Sequence, residues 1–192
     1  MDTKRLEAFS DGVLAIVITI MVLDLRAPAG GDFASLQPLI PKFLSYIFSF
    51  AYVGIYWNNH HHLFHSIQRI NGSVLWANLF LLFCISLMPV ATNWLGENPL
   101  QQAPAIVYGL VLFMAAVAFV VIENAAIRNE GPDSPIGRAV RKHHKEYISM
   151  LGYMAGIGVS FFSPLLALVF HYGVALLWVI PDRRIEQPAP RA

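Results

Sequence analysis

The chain has 192 residues, 56% hydrophobic and only 13% charged, with a mean hydropathy of +0.55. Soluble domains carry about 25% charged residues, so the composition is that of an integral membrane protein. The single cysteine, Cys84, excludes an internal disulfide framework and a cysteine-rich zinc site, and a formal net charge of +1 says nothing of partners.

A first membrane helix is expected over residues 5–25. Arg5-Leu6-Glu7-Ala8-Phe9-Ser10-Asp11-Gly12 runs directly into the apolar stretch Val13–Leu23. Ionisable groups are costly in lipid and face a protein interior or a water-filled path. Arg5, Glu7 and Asp11 at the mouth of such a helix therefore point to a pore-lining role. At about 100° per residue, Arg5, Phe9, Gly12, Ile16, Ile20 and Leu23 share one stripe, with Thr19 at its edge and Asp11 nearly opposite. A stripe of bulky aliphatics on an aqueous axis is a hydrophobic constriction that can gate by dewetting. Periodicity alone leaves this open, because almost every position from Val13 to Leu23 is apolar. Lys4, Arg5 and Ala27-Pro28-Ala29 imitate a cleavable signal peptide, but Glu7 and Asp11 stand where such a peptide wants positive charge.

A polar connector, residues 24–32, leads to a second span over 39–60. It admits Pro41 in its first turn and ends in Tyr56-Trp57-Asn58-Asn59-His60-His61-His62, aromatic residues that suit the membrane–water interface. The third span is expected over 72–95, including Pro89, and the fourth over 103–123. Each is uncharged over close to the 20 residues that cross a bilayer of about 30 Å. A basic segment, 124–146, precedes two shorter spans, 147–163 and 165–180, hinged at Ser163-Pro164. The reading is an all-α integral membrane protein with six transmembrane helices in one domain, residues 1–182, and a polar tail, 183–192. With the N-terminus inside, Arg26 and Lys42 are the only outer members of the 13 Lys and Arg residues. Both termini are then cytoplasmic by the positive-inside rule.

One pore-lining helix cannot close a pore, so several copies must surround the axis in a symmetric homo-oligomer. The alternative is a cation- or proton-coupled secondary transporter built on Asp11 and the nearby histidines; related halves, expected of such a fold, are not visible. His61 and His65 stand at the i, i+4 spacing of zinc ligands, but no acid neighbours them in sequence, so no metal site is assigned. An aspartate at membrane depth needs a partner, and His60 or His61 is the expected one. Gly152-x-x-x-Gly156 is read as a helix contact. No nucleophile–base pair, phosphate loop or nucleic-acid surface is recognisable, so neither an enzyme nor a cofactor is expected. A Thr-Val-Gly-Tyr-Gly filter is absent from the sequence.

Arg5-x-x-x-Phe9-Ser10-Asp11-Gly12 before an apolar helix resembles the hallmark of the transmembrane protein 175 family of potassium channels. Trp57-x-x-His60-His61 at the end of the second span, and Leu87-Met88-Pro89 with Thr92 in the third, are similar to further family features. The resemblance implies four six-helix subunits in a cell membrane around a pore lined by the first helix, with potassium as the permeant ion. Animal members carry the motif twice and work as dimers, and a single copy fits a homotetramer. Carried over by position, Ile16, Ile20 and Leu23 would be hydrophobic layers, Ile16 the narrowest, and Thr19 would contribute potassium preference. Arg5, Phe9, Ser10 and Asp11 would tie the inner end of the helix to Trp57 and His60.

Overall fold

A computed structural model describes residues 3–140 and 144–179. Helix α1, Thr3–Leu23, buries Leu6, Ser10, Leu14, Val17 and Met21. These recur every three or four residues, the period of one helical face. A connector leads to a 3-10 segment, Phe33–Leu39, whose N-cap Asp32 accepts the Ser35 backbone N–H at 3.1 Å and also the Ser35 hydroxyl. Helix α2, Ile40–Ser66, starts with Pro41 in its first turn, where the missing N–H costs nothing. It runs a turn and a half past the expected end at His60, so the three histidines are helical rather than terminal.

The third expected span is not one continuous helix. Helix α3, Gly72–Ser86, stops at Leu87, and α4, Met88–Glu97, restarts with Pro89 in its first turn. Proline has no N–H to continue the ladder and crowds the preceding turn, so the chain breaks there without leaving its course. Helix α5, Gln102–Glu130, is 29 residues long, about 43 Å at 1.5 Å per residue. A short α6, Pro135–Ala139, is followed by α7, His144–Val159, and α8, Pro164–Val179.

Among the described residues, four stretches are long and apolar enough to cross a membrane: Thr3–Leu23, Phe33–Ser66, Gly72–Glu97 and Gln102–Glu130. At 16 residues each, α7 and α8 reach only about 24 Å. Residues 141–143 and the tail from 180 onward, including the expected polar segment 183–192, lie outside the described residues.

Helix α1 packs on α2, α3 and α4, while α5 packs on α3, α4, α7 and α8. The core between these layers holds buried hydroxyls as well as apolar groups. Thr92 Oγ1 donates to Ser49 Oγ at 2.7 Å, and Ser49 Oγ lies 3.0 Å from Tyr108 Oη. Tyr52 donates to the carbonyl of His171, and Phe48 stacks on Tyr172 at 3.7 Å between ring centroids. The His171 ring is fully buried between Gly109 of α5 and Gly156 of α7. A Cβ at Gly152 would stand 2.6 Å from Val174 Cγ2, so the small residues of α7 do mark its contact with α8. At the other end, the Glu130 carboxylate accepts the backbone N–H groups of Gln68 at 2.6 Å and Arg69 at 2.7 Å. Asn129 bonds the Arg69 carbonyl and the Asn71 side chain, both at 2.8 Å, so the α2–α3 loop is clamped to the end of α5.

Candidate functional site

Helix α1 has two unlike faces. Leu6, Ser10, Leu14, Val17 and Met21 are sealed against α2, α3 and α4. On the opposite side Phe9, Ile16, Ile20 and Leu23 are 53%, 58%, 45% and 78% exposed, and Arg5, Gly12 and Thr19 are exposed with them. The stripe expected from the sequence is thus the face that α1 leaves uncovered. Thr19 Oγ1 donates to the Ile16 carbonyl at 2.8 Å, which commits its hydrogen and leaves its oxygen able to accept.

Three polar connections hold the N-terminal end of α1. Trp57 Nε1 donates to Asp11 Oδ1 at 3.0 Å. His61 Nδ1 lies 2.6 Å from Glu7 Oε1, close enough for an ion pair whenever the ring is protonated. Ser10 Oγ donates to the Leu6 carbonyl at 2.9 Å and accepts Asn78 Nδ2 at 3.0 Å, while Asn78 Oδ1 faces His60 Nε2 at 2.8 Å. Ser10, Asn78 and His60 are all buried, whereas Trp57 is 49% exposed.

This arrangement corrects the expected pairing of Asp11 with a histidine. Asp11 takes the indole of Trp57, His60 turns to α3, and His61 turns to Glu7. Trp57 and His61 are four residues apart and share the face of α2 that meets α1. His60 is rotated about 100° from His61, toward α3. The structure brings Ser10, Asp11, Trp57 and His60 to one end of the fold. It leaves Arg5 and Phe9 on the uncovered face, where Arg5 makes no ion pair with a described residue.

Glu7 and Asn78 were missed as partners. The only available signal for Asn78 was its own presence, a lone amide in the apolar run of α3, since polar side chains within membrane helices bond across to their neighbours. His61 does have an acid beside it in space, Glu7, but no group of three His, Cys, Asp or Glu side chains suited to a metal ion forms among the described residues. Trp57→Phe is expected to remove the Asp11 bond and lower stability by about 1 kcal/mol. Asp11→Asn retains a carbonyl acceptor for the indole and should cost less. Thermal unfolding of the two variants in detergent checks the order.

An all-helical, multi-pass membrane protein, with a polar cluster fastening the N-terminal end of a first helix that leaves one face uncovered, is the class these features define. The family model described as endosomal/lysosomal potassium channel TMEM175 matches residues 5–89, the segment that holds the whole cluster. A protein of Chryseobacterium sp. (strain P1-3) named as a potassium channel is 58% identical over 187 residues, 97% of each chain. Another, from Streptomyces collinus and also named as a potassium channel, is 31% identical over 98% of this chain and 99% of its own. Among solved structures, the crystal structure of a lysosomal potassium-selective channel TMEM175 homolog from Chamaesiphon minutus superposes with a TM-score of 0.80 at 27% identity, covering 95% of this chain and 97% of that one. The chain belongs to the TMEM175 family.

Proposed function

We propose that the chain forms a potassium-permeable channel of the cell membrane, in which ions pass along the uncovered face of α1. The observation that carries this reading is the two-sidedness of α1. One face is sealed into the subunit, its inner end is pinned by polar bonds, and the row of Phe9, Ile16, Ile20 and Leu23 is left largely exposed by the described residues. Four copies around a common axis would cover that row and make it the pore wall. The relatives named as potassium channels support the choice of ion.

In this reading α7 and α8 complete six crossings, both termini are cytoplasmic, residues 1–182 make the channel domain and 183–192 a separate tail. Ile16 forms the narrowest hydrophobic layer, with Ile20 and Leu23 above it. A ring of isoleucines strips water from an ion without replacing it, so the more weakly hydrated potassium loses less than sodium. The lone pairs of four Thr19 hydroxyls return part of the coordination. Conduction is passive and needs no cofactor or resident metal, and no chemical step is catalysed.

Purified protein in liposomes under a potassium gradient, with a protonophore to shunt the membrane potential, is expected to pass potassium without a coupled ion. Flux that required a proton or sodium gradient and vanished in Asp11→Asn would replace the channel with a coupled transporter, a reading that the comparisons do not support.

A further inference from the structure

The buried connection at the inner end of α1 has a direction. Ser10 Oγ lies 2.9 Å from the Leu6 carbonyl, which can only accept, so the single hydroxyl hydrogen is committed there. Toward Asn78 the hydroxyl must then accept, which turns the amide nitrogen to Ser10, at 3.0 Å, and the amide oxygen to His60, at 2.8 Å. A carbonyl oxygen cannot donate, so His60 Nε2 carries the hydrogen. In the neutral ring Nδ1 then holds the lone pair. It finds no partner among the described residues, and the ring lies against Phe64 at 4.2 Å between centroids. Every hydrogen in the chain points one way, from α2 through α3 into α1.

We propose that Asn78 is the positioning residue that fixes the rotation of α1 about its own axis, and thereby selects which α1 side chains form the ion path. This rests on the channel reading above. An asparagine offers a donor and an acceptor from one planar group, and here both ends are used inside a fully buried site. In such a dry setting an unpartnered polar group is costly, so α1 cannot turn without losing a bond that nothing replaces. The other two fastenings are weaker determinants. Trp57 and His61 are about half exposed, and water can take the place of either bond. A slip of one residue, about 100°, would carry Ile16 off the axis and bring Ala15 or Val17 toward it, exchanging the bulky layer for a smaller side chain.

The test uses the full-length protein in planar bilayers, with the potassium-to-sodium permeability ratio read from reversal potentials. Asn78→Leu keeps the branched outline of the side chain and removes both bonds. Its ratio is expected to fall by about threefold or more, the scale of one hydrogen bond's net contribution. Adding Ser10→Ala to Asn78→Leu should change the ratio no further, because both act through one chain, whereas a merely destabilised helix would give additive losses. Nitrogen NMR of histidine-labelled protein, with His60→Gln to assign the signal, should place the hydrogen on Nε2. An assembled Asn78→Leu channel with the wild-type ratio, or a His60 hydrogen on Nδ1, overturns the proposal. Should Asn78→Leu not assemble, Ser10→Ala alone decides: a lowered ratio supports the role and an unchanged one removes it. Ile16→Asn separates the two levels of argument. If it alters flux while Asn78→Leu leaves the ratio intact, only the positioning role falls; if it alters nothing, the channel path along α1 falls as well.

Discussion

Ile16→Asn is expected to raise potassium flux and to erode preference for potassium over sodium. Ile16 is 58% exposed on the uncovered face of α1, beside the carbonyl that holds Thr19, so the substitution disturbs no packing within the subunit. In the proposed pore an amide at that position would wet a constriction that an isoleucine ring would keep dry, and dewetting is what makes a hydrophobic ring a barrier. A barrier lowered by about 1.4 kcal/mol raises passage about tenfold. The same carboxamide supplies ligands that sodium can use, so the difference in dehydration that favours potassium narrows. Flux and reversal potential measured on one preparation check both halves. Unchanged selectivity would remove Ile16 as the narrow layer, and unchanged flux would remove the layer altogether.

The second large effect lies in the helix packing. A Cβ at Gly156 would stand 2.5 Å from His171 Cε1, 2.7 Å from Nδ1 and 3.2 Å from Phe170 Cβ. The ring cannot swing aside, because Gly109 approaches the same imidazole, where a Cβ would be 2.5 Å from Cε1 and 2.6 Å from Nε2. Gly156→Ala therefore forces α7 and α8 apart, and overpacking of this kind costs about 1–3 kcal/mol. At about 2–4 °C per kcal/mol, thermal unfolding in detergent should move down by several degrees. Gly158, on the same helix, has nothing within 4 Å of its would-be Cβ. Gly158→Ala should accordingly hold or raise the midpoint, since a helical glycine gives up about 0.5–1 kcal/mol relative to alanine. Shrinking the obstructing ring with His171→Ala should offset part of the Gly156→Ala loss. A strictly additive double variant would refute the steric account.

Much of this was legible in the chain because membrane helices advertise themselves by length and α1 by its period. The first four spans fall close to their expected positions, and Arg5, Phe9, Ile16, Ile20 and Leu23 share the expected face. What the sequence withheld was the pairing. Whether Asp11 meets Trp57, His60 or His61 depends on how α2 is rotated against α1, and rotation is set by the packing of all the neighbours together. Asn78 hides for a related reason: a single amide in an apolar run has no period to betray its direction. The slot for His171 is written as two glycines in different helices, and neither shows in isolation which side chain it accommodates. Pro89 did announce itself, yet only packing decides between a bend and the full restart seen at Met88.

The order of synthesis gives the anchoring site one further property. Every side chain in it, from Glu7 and Asp11 to Trp57, His60, His61 and Asn78, is encoded before α5 begins, and the helices α1 contacts are α2, α3 and α4. At about 5–20 residues per second, the ribosome needs about 4–16 seconds more to deliver α5, α7 and α8. The fastening of the first helix can thus be completed while the later half of the chain is still being made. The nascent protein then sets the orientation of α1 early, and the remaining helices are added to a unit that already holds its shape.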